Sequence, residues 1–159
     1  MDADDPPLLL VEPGYKTLLR VRLAVVWIFL TMIALILNSA LLSQMGFGRI
    51  LPLAVLLVGV TIVVIAPARV YRRLRYRLTQ RVLQVVRGWM FHTDTVVPLV
   101  RVQHLDVVRG PLDKMFGTAS LVVHTAGTHN SIVTVPGLAP ERAAEIRDVI
   151  REHVRTDFA

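Results

Sequence analysis

The stretch Leu23-Ala24-Val25-Val26-Trp27-Ile28-Phe29-Leu30-Thr31-Met32-Ile33-Ala34-Leu35-Ile36-Leu37 decides how the rest of the chain is read, because it continues to about Leu42 without one charged side chain. About twenty residues at a rise of about 1.5 Å match a hydrocarbon core of about 30 Å. A second uncharged run extends from Ile50 to Ala68. Each run holds roughly ten Leu, Ile, Val or Phe residues, worth several kcal/mol of insertion at about 0.3 to 0.6 kcal/mol apiece. That sum outweighs Asn38 in the first run and Pro52 in the second. The expected spans are therefore 23–42 and 50–68. A cleaved signal peptide would start earlier and be shorter, and no second span would follow it so closely. The short connection Ser43–Arg49, with Gly46 and Gly48, makes the two helices antiparallel neighbours.

The overall composition agrees with this concentration of apolar residues. Of 159 residues, 53% are hydrophobic and 19% charged, and the mean hydropathy is +0.54. The absence of cysteine excludes disulfides, iron–sulfur clusters and thiol catalysis. The net charge of +6 invites a nucleic-acid reading, but its placement argues otherwise. Residues 1–68 balance Lys16, Arg20, Arg22 and Arg49 against Asp2, Asp4, Asp5 and Glu12. The surplus begins at Arg69 and is densest in Arg69, Arg72, Arg73, Arg75 and Arg77, directly after the second span. Basic residues gather on the cytoplasmic side of membrane helices. Both termini are therefore expected in the cytoplasm of a multi-pass plasma-membrane protein. The five arginines become candidate contacts for anionic lipid headgroups, without lipid specificity.

From Tyr76 onward the texture changes to short valine- and threonine-rich runs broken by turn residues. Expected strands are Tyr76–Thr79, Val82–Arg87, Trp89–Val97, Val102–Arg109, Ser120–Thr125 and Ser131–Val135. A helical turn is expected at Leu112–Phe116, and a helix from Pro140 to about Val154. In that last helix Ala143, Ile146, Val149, Ile150 and His153 or Val154 recur at helical spacing, so it needs a sheet on which to bury them. Met1–Gly14, rich in Pro and Asp, reads as a flexible tail.

The ordered set Tyr76-Arg77-Leu78-Thr79, Arg87-Gly88-Trp89, Pro98-Leu99-Val100-Arg101-Val102-Gln103-His104, Gly110-Pro111-Leu112-Asp113, Phe116-Gly117 and Pro136-Gly137-Leu138 resembles the pleckstrin-homology-like (PH-like) domain of bacterial YdbS-like membrane proteins. The resemblance covers about residues 69–159. It implies an α+β chain: a two-helix transmembrane hairpin, then a partly open antiparallel β-barrel capped by a C-terminal α-helix. The implied division is a flexible tail over 1–17, the hairpin over 18–70 and a cytoplasmic PH-like domain over 71–159. It also implies a module without known catalysis, often found beside a larger multi-copy relative. The Gln80-Arg81 turn is too short to wrap an inositol headgroup, which argues against phosphoinositide recognition by the usual basic loop.

Candidate partner contacts are Arg101 and Gln103, placed by alternation on one face of their strand, together with Lys114 and Met115 beside the Gly110–Gly117 turn. A competing reading has Arg101 and Asp106 bracing loops, and Leu112 and Phe116 plugging the barrel. No histidine pair has an established zinc spacing, and no nucleophile motif or phosphate loop occurs. No metal, cofactor, catalytic residue or nucleic acid is therefore assigned. The expected function is that of an interaction module docking on another membrane protein or on copies of itself. The alternative is an anionic-lipid-binding or lipid-handling protein.

Overall fold

The computed structural model describes residues 6–42, 50–89, 91–126 and 132–157. Two compact units divide the chain: Thr17–Arg69 form one, and Met1–Lys16 together with Val70–Ala159 form the other.

The first unit is the hairpin. Helix α1 runs Pro13–Leu37 and continues into a π-helical turn, Asn38–Leu42; helix α2 runs Ile50–Arg73. Both outrun the expected spans because their charged flanks are helical too. Proline at the first position of α1 loses nothing, since an N–H there has no intrahelical acceptor. The apolar faces are open: Ile28 is 64% exposed, Phe29 62% and Val64 58%. A core helix of a water-soluble protein would cover such faces, so the solvent for this surface is lipid. Thr31 and Thr61 donate their hydroxyls to the Trp27 and Leu57 carbonyls, both at 2.8 Å, so neither of these hydroxyls meets the hydrocarbon unpaired. A Cβ on Gly59 would lie 2.9 Å from the Trp27 ring, so the absence of a side chain lets α2 accept the indole. The connection 43–49 lies outside the described residues.

In the second unit, strands β1 (Leu9–Leu10), β2 (Arg75–Leu78), β3 (Val82–Arg87) and β4 (Thr93–Pro98) form one antiparallel sheet in that order. A short 3₁₀ turn, Leu99–Arg101, leads to β5 (Val102–Val108), which with β6 (Ala119–Thr125) and β7 (Ile132–Leu138) forms a second, three-stranded sheet. Helix α3 (Pro111–Phe116) links β5 to β6, and α4 (Pro140–Asp157) follows β7. No hydrogen-bonded ladder joins the two sheets among the described residues, so the barrel is not closed.

Alternation explains the core. Leu83 and Val85 of β3, Leu121 and Val123 of β6, and Val133 and Val135 of β7 point inward and are buried. Ala143, Ile146 and Ile150 of α4 complete the core at helical spacing. Val149, expected on that stripe, is 50% exposed. It lies beside the line through positions 143, 146 and 150, at the stripe's edge. Leu112 and Phe116 are only half-buried and stand outside the core cluster, so they do not plug the barrel.

The segment read as a flexible tail is, from Leu9 onward, part of the domain. Leu9 pairs with Tyr76 and Leu10 with Arg75. Val11 is 3% exposed within the core, and the Glu12 N–H donates to the Gly137 carbonyl at 2.7 Å. Gly137 adopts φ 75° and has Tyr15 packed where a side chain would stand. The hairpin is thus inserted between the first and second strands of the sheet.

Candidate functional site

The β2–β3 turn is closed locally. The Thr79 N–H donates to the Val82 carbonyl at 2.9 Å, and the Thr79 hydroxyl accepts the Val82 N–H at 3.1 Å. Behind it the outer face of the sheet carries a polar ladder across three strands. Arg77 Nη2 donates to Gln84 Oε1 at 2.7 Å, and Gln84 Nε2 donates to both oxygens of Asp94 at 2.9 and 2.8 Å.

That ladder splits the arginine set. Arg69, Arg72 and Arg73 are exposed near the end of α2 at the i, i+3, i+4 spacing of one helix face. Arg75 is exposed on β2, while Arg77 is half-buried and committed to Gln84. Arg73 is also engaged, donating from Nη1 to the Trp89 carbonyl at 2.9 Å.

The partner-contact set is divided as well. Arg101 ends the 3₁₀ turn and does not lie on the strand; its carbonyl accepts the Ala126 N–H at 2.9 Å. The β5–β6 register shifts between Val102 and His104, leaving Gln103 exposed on a bulge. The bulge resets alternation, so Val102, Leu105 and Val107 face the core and His104 and Asp106 face out. Arg101 and Gln103 therefore share no face with Leu105 and Val107, contrary to simple alternation. Lys114 and Met115 are exposed on α3, past the far end of β5, about 20 Å along the strand. The four residues do not form one patch.

Arg101 instead lines a cleft of about 380 Å³ with Thr93, Thr95 and Val97 of β4, Thr125 of β6 and Val133 of β7. β4 forms the outer edge of its sheet, so this cleft runs along backbone that no described strand covers. On the outer face of β5–β6, His104 Nε2 stands 2.9 Å from Asp106 Oδ1 and His124 Nε2 3.5 Å from Asp106 Oδ2. The two rings lie 5.8 Å apart. Among the described residues no three histidines and carboxylates are grouped as metal ligands. At α4 the Glu145 carboxylate, and after it the Tyr76 hydroxyl, hold the Arg142 guanidinium above its ordinary pKa, tying the helix to β2.

Among the described residues the chain has two long apolar helices and seven strands in two sheets, with the last helix packed on them. The Bacterial PH domain family matches residues 18–154. The chain belongs to that family. Over 104 residues this PH protein is 36% identical to the UPF0699 transmembrane protein YdbS of Bacillus subtilis (strain 168), covering 64% of this chain and 63% of YdbS. The aligned part thus spans under two thirds of that relative's length. No solved structure matches. The family match begins after β1, so the strand that completes the first sheet precedes it. The protein is a bacterial membrane protein with a PH-like domain.

Sequence reasoning missed the cleft because its walls come from three strands and the 3₁₀ turn that carries Arg101. The Gln103 bulge has no composition of its own. His104 and Asp106 at i, i+2 hinted at a shared face, but His124 joins them only through the β5–β6 register.

Proposed function

We propose that this PH protein is a membrane-anchored, non-enzymatic docking module, with both termini in the cytoplasm. Its β4 edge and adjoining cleft receive an extended segment of another membrane protein, with a larger relative of the same family as the favoured partner. A second copy of this chain is the other occupant of that kind. The observation that carries this reading is the cleft itself, with an uncovered strand edge along one side and Arg101 among its lining residues. A strand added to such an edge gains main-chain hydrogen bonds, and an acidic group on the partner would meet Arg101. The hairpin holds the domain at the membrane, where effective concentration lets a weak interface suffice. The pairing of β1 with β2 brings the chain before and after the hairpin into one sheet, which supports both ends lying on one side of the bilayer, and the arginines after α2 favour the cytoplasmic side.

The test is co-purification of the tagged full-length protein from its own membranes in mild detergent, compared with Val96→Pro, which removes an N–H that points away from β3, and Arg101→Glu. The docking reading expects a stoichiometric membrane partner that both substitutions release, while membrane insertion stays normal. Recovery unaffected by either would exclude the cleft as the docking site.

A second reading, anionic-lipid binding, is favoured by the exposed Arg69, Arg72 and Arg73 face. At about 1 kcal/mol for each side chain near an anionic surface, these three add a salt-sensitive attraction to the anchor.

A further inference from the structure

The register of the first sheet gathers three chain segments at one end. β1 runs toward α1 with Leu10 opposite Arg75, and Arg75 opens β2 directly after α2 and Leu74. Arg75 in turn stands opposite Val86, next to the end of β3. The turn between β3 and β4 therefore leaves the sheet at the end where β1 runs out and β2 begins, the two points at which the chain enters and leaves the hairpin. That turn exposes its aromatics: Phe91 is 81% exposed and Trp89 39%. It is a built turn. Gly88 adopts φ 139°, and a Cβ there would run into the Phe91 carbonyl. Trp89 is held by its carbonyl to the Arg73 guanidinium at 2.9 Å. Arg73 is the last residue of α2, five beyond Ala68, a rise of about 7.5 Å at about 1.5 Å per residue. The polar layer of one leaflet is about 5 to 8 Å deep.

We propose that the β3–β4 turn is a membrane-interface wedge, in which Phe91 and the Trp89 indole enter the headgroup layer of the leaflet from which α2 emerges. The chemistry fits that zone. An indole with an apolar body and a polar N–H partitions to the interface. Arg75, opposite Val86, and Arg87, at the end of β3, are exposed beside the turn and meet lipid phosphates there. The hairpin tethers the domain to the bilayer, and the wedge adds a second attachment point, which limits rotation of the domain about its tether. The docking reading is independent of this: the cleft can work with or without the wedge.

The chain contains no cysteine, so single substitutions give unique labelling sites. Nitroxide-labelled Phe91→Cys full-length protein would be reconstituted in vesicles of phosphatidylglycerol and phosphatidylethanolamine. Its relaxation by oxygen and by a water-soluble nickel chelate would be compared with labelled Ile28→Cys as the deep reference. The wedge predicts a label shielded from nickel and accessible to oxygen, shallower than Ile28. A label as open to nickel as one free in buffer overturns it. Trp27→Phe leaves Trp89 the single indole and gives a second readout that leaves Phe91 in place. Its emission should be quenched by lipids brominated near the headgroup end of the acyl chain more than by lipids brominated near the chain terminus. Insensitivity to both, with full quenching by aqueous iodide, again overturns the proposal.

Discussion

Replacing Val11 by Ala tests whether the short strand before the hairpin belongs to the domain. Val11 is 3% exposed and sits in a core cluster with Tyr76, Leu83 and Val135. Deleting its two methyl groups forfeits about 1.6 kcal/mol of transfer free energy at about 0.8 kcal/mol per carbon. A partly collapsed cavity brings the loss to about 2 kcal/mol. Leu9, 41% exposed on the same segment, is the control, and Leu9→Ala should cost under about 0.5 kcal/mol. Urea titration of full-length protein in detergent, followed by protease resistance of the domain, reads the difference. With a slope of about 1 to 3 kcal/mol per molar urea, the Val11→Ala midpoint should fall by about 1 M and the Leu9→Ala midpoint should hardly move. Equal midpoints for Val11→Ala and the unsubstituted protein would refute the reasoning, since a detached tail could lose those methyls at no cost.

Other substitutions probe the remaining elements. Gly88→Ala forces a side chain onto φ 139° and into the Phe91 carbonyl, and should lower domain stability by about 2 kcal/mol in the same titration. Asp113→Ala removes the acceptor of the Gly110 N–H at 3.0 Å and of the buried Thr118 hydroxyl at 2.8 Å, at a cost of about 1 to 2 kcal/mol. Gln84→Leu breaks the ladder between Arg77 and Asp94 on a partly solvated face, and about 1 kcal/mol is expected by urea midpoint. Gly59→Leu places a branched side chain against the Trp27 ring, so disulfide crosslinking between cysteines introduced at Thr31 and Leu56, which line the groove beside that contact, should drop while insertion persists.

What the sequence made legible was whatever rests on local patterning. Uncharged runs of about twenty residues announce membrane helices on hydropathy alone. Alternation in Val82–Arg87 and the 143, 146, 150 spacing in α4 each reflect burial against one surface, and the structure buries those residues. What escaped depends on pairing between distant segments. Leu9-Leu10 is too short to show a period, and its partner strand lies beyond both spans. Alternation misplaced Arg101 and Gln103 because the bulge sets the face of every later β5 residue, and a bulge is a matter of register. The expected strand from Trp89 begins only at Thr93, since Gly88 turns the chain and leaves Trp89 and Phe91 exposed in a turn. The Ser43–Arg49 connection, Gly127–Asn130 between the expected strands, His129 among them, and Ser131, expected to open a strand, lie outside the described residues.

The central claim is that the β4 edge and its cleft are where a partner docks. Its most direct test is a photo-crosslinking amino acid at Thr95 of the full-length protein in its own membranes, with and without Arg101→Glu. The account predicts one strong crosslink to a second membrane protein or to another copy of this chain, lost with Arg101→Glu. Crosslinks to lipid alone, or a protein crosslink indifferent to Arg101, would contradict it.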